Sequence, residues 1–182
     1  MDKVEQQPNS EVAVQKSVSR GFVIAQFVLR ILIIVFTVVA VAVMATSGVT
    51  LSFFGVKFGA HYYDSSAFKF LMAADIIVGV LALFSMLVSI YFVYRKPSNS
   101  THLYCLFLHD LILTMLMISA CGAATSIGYV GMYGQPQSAW FKICDRVGKF
   151  CFRMGVSVGF SYATFLCLLA LTVMTSYKLR KA

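Results

Sequence analysis

The sequence predicts an all-α membrane protein built as a bundle of four transmembrane helices, and three observations carry that expectation. Of 182 residues, 59% are hydrophobic and only 12% are charged, about half the charged share of an average soluble domain. The apolar residues gather into four stretches, each able to cross a hydrocarbon core of about 30 Å. All three prolines lie outside those stretches, and runs such as Ile31-Leu32-Ile33-Ile34-Val35-Phe36 lack the alternation of a barrel strand.

Residues 1–20 are polar and poor in aromatics, the composition of a disordered tail. The first span covers about residues 22–44; it is longer than a signal-peptide core and contains Arg30, so no cleavage is expected. Residues 45–67 form a first loop. The second span covers about 68–94, and residues 95–102 make a tight polar connection. The third span covers about 103–130, residues 131–154 form a second long loop, and the fourth span covers about 155–177. Residues 178–182 are a basic stub. One transmembrane domain, 21–177, therefore fills the chain, and no soluble catalytic domain is expected.

Four spans put both ends on one side. That side carries Lys3, Lys16, Arg20, Arg95, Lys96, Lys178, Arg180 and Lys181; the other carries Lys57, Lys69, Lys142, Arg146, Lys149 and Arg153. The excess favours cytosolic termini. The net charge of +8 sits mostly beside apolar runs, which suits anchoring at lipid headgroups and not nucleic acid. Trp140 reads as an interfacial anchor. The sequon Asn99-Ser100-Thr101 falls in the short connection and is expected to stay unmodified on the cytosolic side. Cys144 and Cys151 share the second long loop. They pair as a disulfide if that loop is extracellular, and remain free thiols if it is cytosolic.

Two charges lie deep in the spans. Arg30 is roughly nine residues into the first span and Asp110 roughly seven into the third. Both helices start from the same side, so both charges sit about 11–14 Å in. Opposite signs at one depth point to an interhelical ion pair, because an unpaired charge there costs at least a few kcal/mol. A proton relay and snorkelling to the interface are the alternatives. Asp75, nearer the opposite face, suits a protonated or hydrogen-bonded carboxyl. His109 adjoins Asp110 but points about 100° around the helix. With no third ligand in view, no metal is expected.

Small residues recur every fourth position: Ala120, Ala124 and Gly128 on the third span, Gly155, Gly159 and Ala163 on the fourth. Such stripes serve close packing within a bundle or between copies. The exit Gly128-Tyr129-Val130-Gly131-Met132-Tyr133-Gly134 lacks the Gly-Lys-Ser/Thr ending of a phosphate loop. No C-x-x-C pair occurs, and no cofactor is expected.

Several pieces together resemble the Casparian strip membrane domain protein family of plants. They are Arg30, Asp110, the run Ala123-Ala124-Thr125-Ser126-Ile127-Gly128-Tyr129-Val130-Gly131, the stretch Leu106-Phe107-Leu108-His109-Asp110-Leu111, Ser66-Ala67-Phe68-Lys69-Phe70, and Trp140, Cys144, Asp145, Phe150 and Cys151. The likeness covers about residues 20–177. The first loop lacks the founders' extracellular signature, and Asp75 stands where relatives often have asparagine, so the chain resembles the broader Casparian-strip-like branch, first subfamily. The resemblance implies a four-span plasma-membrane protein that associates with itself and relatives as homodimers, heterodimers or larger oligomers. The founders form immobile platforms that guide local lignification, which implies cell-wall enzymes as partners. Arg30 and Asp110 carry over as bundle-stabilising residues and the cysteines as a loop disulfide. A non-catalytic scaffold is the leading expectation. A small channel or transporter would want broken helices or a midplane polar file, and an oxidoreductase would want paired reactive cysteines, whereas Cys105, Cys121 and Cys167 are scattered.

Overall fold

Helix is forced on apolar segments in lipid, because each backbone N–H and C=O must find its partner within the segment. The structure, a computed structural model, describes residues 8–47, 49–53, 56–60, 65–95, 100–134, 142, 144 and 148–180. Four long helices dominate: α1 Pro8–Ala45, α2 Ser66–Arg95, α3 Ser100–Tyr133 and α4 Gly148–Leu179. Their membrane-length apolar parts are Gly21–Ala45, Ser66–Tyr91, Tyr104–Tyr133 and Gly148–Leu179. The helices form a ring in which α1 packs on α2, α2 on α3, α3 on α4 and α4 on α1.

Four boundaries differ from the sequence expectation. α1 begins at Pro8 and takes in most of the segment expected as a disordered tail. The first loop holds a short hairpin, β1 Val49–Phe53 and β2 Val56–Ala60, a local addition to the four-helix bundle. The strands pair antiparallel with Val49 opposite Ala60 and Phe53 opposite Val56. β-branched Val49, Thr50 and Val56 with a two-residue connection suit such a ribbon. α3 runs through Gly128 and Gly131 and stops only at Gly134, whose φ of 71° supplies the left-handed residue that commonly ends a helix. α4 starts seven residues early, at Gly148, so Cys151 and Arg153 are helical and not in a loop. Apolar Phe150, Cys151, Phe152 and Met154 extend the span there. Trp140 and Asn99 lie outside the described residues.

The interior is a mixed core. Ile33, Leu71, Val78, Met117, Leu168 and Leu171 are fully buried, while Ile24, Val38, Phe84, Leu87, Ile112, Met115 and Val173 face outward. Gly79 leaves room for Thr37 of α1 against α2: a Cβ there would lie 3.0 Å from Thr37 Oγ1. At the loop end, Arg153 Nη1 donates to Thr46 O at 2.9 Å, joining the start of α4 to a carbonyl left open at the end of α1.

Candidate functional site in the bundle interior

The helices turn polar groups inward at helical spacing. On α1 the buried positions include Gln26, Arg30 and Thr37, with Ser47 just past its end; on α4 they include Ser157, Ser161, Thr164, Thr172 and Thr175. In lipid this inversion is economical, since hydrocarbon outside offers polar groups no partner.

The first tie across the ring is Arg30 with Asp110. Arg30 Nη2 lies 2.9 Å from Asp110 Oδ2 and 3.3 Å from Oδ1, and the side chains are 1% and 0% exposed. Arg30 Nη1 donates to Ser85 Oγ on α2. The guanidinium of α1 thus engages both α2 and α3. Arg30 Nε has no partner among the described residues. The Thr114 hydroxyl donates to Asp110 O at 2.6 Å and meets Thr172 Oγ1 at 3.3 Å, which draws α4 into the cluster. One turn nearer the chain ends, Gln26 Nε2 donates to Thr175 Oγ1 at 3.1 Å.

His109 differs from expectation. Its Nδ1 lies 3.2 Å from Asp110 Oδ1, although adjacent helical residues point about 100° apart. The half-buried imidazole folds back onto the carboxylate, and its Nε2 has no partner among the described residues. Groups of three or more metal-ligating side chains are absent among the described residues.

The second tie runs on the other diagonal. Asp75 Oδ2 on α2 accepts from Ser161 Oγ on α4 at 2.8 Å, while Oδ1 is buried without a partner. Asp75 and Ser85 are ten residues apart on α2, so the two ties are about 15 Å apart along the axis. Asp75 therefore belongs to a separate layer from Arg30. Nearer the loops, Ser157 Oγ donates to Ala40 O at 2.8 Å, and Ser47 Oγ meets Met154 Sδ at 3.3 Å. Layers at several depths tie α1 to α4, α1 to α2 and α3, and α2 to α4, which fixes rotation and register together.

Cys144 and Cys151 are joined as a disulfide with Cα atoms 5.7 Å apart. Cys144 N also donates to Gly131 O at 3.2 Å. The bridge therefore fastens the first turn of α4 to the last turns of α3. Closing so short a loop is worth about 2.5 kcal/mol on the chain-entropy estimate.

The small-residue stripes divide. Ala120 and Ala124 are buried within the bundle. Gly128 and Ala163 are half-buried, and Gly155 and Gly159 are exposed on α4. A Cβ added at Gly128, Gly155 or Gly159 would meet nothing within 4 Å.

Sequence reasoning singled out Arg30, Asp110, Asp75 and the cysteines. It passed over Ser85, Gln26 and the α4 hydroxyls. Their signal was the spacing of Ser157, Ser161, Thr164, Thr172 and Thr175 on one face, which apolar counting discards.

Residues 19–176 match the family model described as the Casparian strip membrane protein domain. CASP-like protein 1F2 of Vitis vinifera is 44% identical over 160 residues, covering 88% of this chain and 83% of that protein. CASP-like protein 1F3 of Populus trichocarpa is 41% identical over 160 residues, covering 88% and 82%. CASP-like protein 1F1 of Ricinus communis is 39% identical over 181 residues, covering 100% and 98%. No solved structure matches.

Proposed function

The chain belongs to the Casparian strip membrane protein family, and on that premise we propose that it is a plasma-membrane scaffold that associates with copies of itself and with relatives to organise a membrane domain. The observation that carries the reading is the outward face of α4. Gly155 and Gly159 are exposed there, one turn apart, with open space above both. Helices associate in lipid where small residues let backbones approach and gain contacts that lipid chains do not match. The interior polar groups then serve assembly of the protomer: Arg30 and Asp110 hold a bundle rigid enough to present that face.

The scaffold is non-catalytic in this account, and the relatives' printed names are not enzyme names. Its cytosolic termini are favoured by the basic excess on that side. A disulfide at the loop end suits an oxidising exterior. A platform so oriented faces the cell wall, where it positions local wall-modifying enzymes.

One observation favours a small channel or transporter instead: the file of buried hydroxyls on α4 beside Asp75. Yet Thr164, Thr172 and Thr175 each donate to a carbonyl of their own helix, which closes their donor capacity within α4. The experiment is subunit counting by photobleaching of tagged copies in membranes, for the natural chain and for Gly159→Leu. Multi-subunit spots that fall to single subunits in the variant support the scaffold. Single subunits in both, with ion or solute flux in vesicles, overturn it.

A further inference from the structure

At the chain-end face of the bundle α3 and α4 leave a groove of about 310 Å³, lined by Phe107, Thr172, Val173, Ser176, Tyr177 and Arg180. The hydroxyl of its floor is already engaged: buried Thr172 donates to Leu168 O at 2.9 Å and meets Thr114 Oγ1 at 3.3 Å. The lip is cationic and polar. Arg180 N donates to Ser176 O at 3.1 Å, so the helical turn continues past Leu179 and exposed Arg180 stands one turn beyond Ser176. Exposed Val173 and half-buried Phe107 supply apolar walls open to the side where lipid lies.

A guanidinium beside a hydroxyl, over an apolar slot, matches a phosphate joined to a hydrocarbon chain. The surroundings select headgroups of net negative charge. By sequence this side of the protein carries eight basic residues against Asp2, Glu5 and Glu11, and such juxtamembrane clusters favour anionic lipids. Lys178 turns the other way, 4.2 Å over the Phe22 ring of α1, which leaves the groove on the α3 side to Arg180. A second copy of the chain is a poorer occupant. Val173 is fourteen residues from Gly159, about 21 Å along the helix. Helices that cross at a small-residue contact at about 40° separate by about a further 14 Å over that length, so the groove stays open in the assembly proposed above.

We infer that this groove binds one anionic phospholipid. The Arg180 guanidinium and the Ser176 hydroxyl hold its phosphate, and the first part of an acyl chain lies against Phe107 and Val173. The lipid closes the α3–α4 seam directly behind Thr172, on whose inner side Thr114 and Asp110 continue to the Arg30 tie. That the lipid comes from the cytosolic leaflet rests on the cytosolic termini proposed above. The site itself does not, and a nanodisc with the same lipids on both faces tests it separately.

The test is native mass spectrometry of the full chain released from nanodiscs of phosphatidylcholine mixed with phosphatidylserine. The natural chain retains one phosphatidylserine in preference to phosphatidylcholine. Arg180→Gln lowers that preference roughly fivefold, whereas Lys69→Gln, exposed at the opposite end of the bundle, leaves it unchanged. Val173→Trp fills the groove from the exposed side, leaves the core intact and abolishes retention. Release of the natural chain without lipid overturns the inference, as does equal retention of both lipids. So does an equal drop in Arg180→Gln and Lys69→Gln, or undiminished retention in Val173→Trp. Displacement of the lipid by excess inorganic phosphate before release overturns it too, by making the site one for a free anion.

Discussion

Arg30→Ala removes the contacts at 2.9 and 3.3 Å to Asp110 together with the one to Ser85. It leaves a carboxylate that is 0% exposed. Removing one partner of a buried pair costs about 3–5 kcal/mol, most of it the desolvation of the charge left behind. Asp110→Ala leaves a cation on a long stem, about 11–14 Å from the chain-end face. That guanidinium reaches toward headgroups by snorkelling, whereas the short Asp110 side chain has no such escape. Asp110→Ala should therefore cost less than Arg30→Ala, about 2–3 kcal/mol. The double variant loses both charges and keeps only the cost of lost packing, about 2–4 kcal/mol. The two single costs sum to more than that, so the cycle should show a coupling of about 2–4 kcal/mol. The assay is unfolding in mixed micelles of rising sodium dodecyl sulfate content, paired with surface abundance in cells. Strictly additive losses would refute the ion-pair argument. Normal folding in all three variants with loss of transport would move the pair from structure to conduction.

The remaining expectations follow the same physics. Ser161→Ala removes the hydrogen bond that Asp75 accepts and should destabilise the bundle by about 1–3 kcal/mol in the same micelle assay, because a buried carboxyl oxygen is then left without a donor. Cys144→Ser should cost about 2–3 kcal/mol; in the natural chain, alkylation followed by intact mass should leave both cysteines unlabelled until reductant is added. Gly79→Leu should lower thermal stability in detergent by several degrees or prevent folding, since its Cβ alone meets Thr37 Oγ1 at 3.0 Å and overpacking costs about 1–3 kcal/mol.

The spans were legible because lipid imposes one rule on every residue, and four apolar stretches satisfy it. Arg30 and Asp110 were legible through depth arithmetic, which needs only the starting side of each helix and the rise per residue. The hairpin was not. Its strands, Val49–Phe53 and Val56–Ala60, lie between two strong helix signals, and a short ribbon is marginal by itself. The start of α4 was placed late because Lys149 and Arg153 look like loop charges, although a helix end projects such side chains to the interface with ease. The end of α3 was placed early because Gly128 and Gly131 look like breakers. In lipid a glycine does not end a helix, because no water competes for the backbone hydrogen bonds that the helix satisfies internally. The α4 hydroxyl face was missed for a related reason. Serine and threonine disguise themselves in a membrane helix by bonding to their own backbone, as Thr172 does to Leu168 O at 2.9 Å. His109 shows the limit of helical-wheel reasoning: the wheel gives the direction of a Cβ, not where the ring finishes.

Lateral mobility of a tagged copy in its native membrane, followed by recovery after photobleaching, tests the scaffold most directly. The account expects bleached patches that fail to recover, and patches of Gly159→Leu that refill. Recovery of the natural chain at the rate of a lone four-helix protein would contradict it.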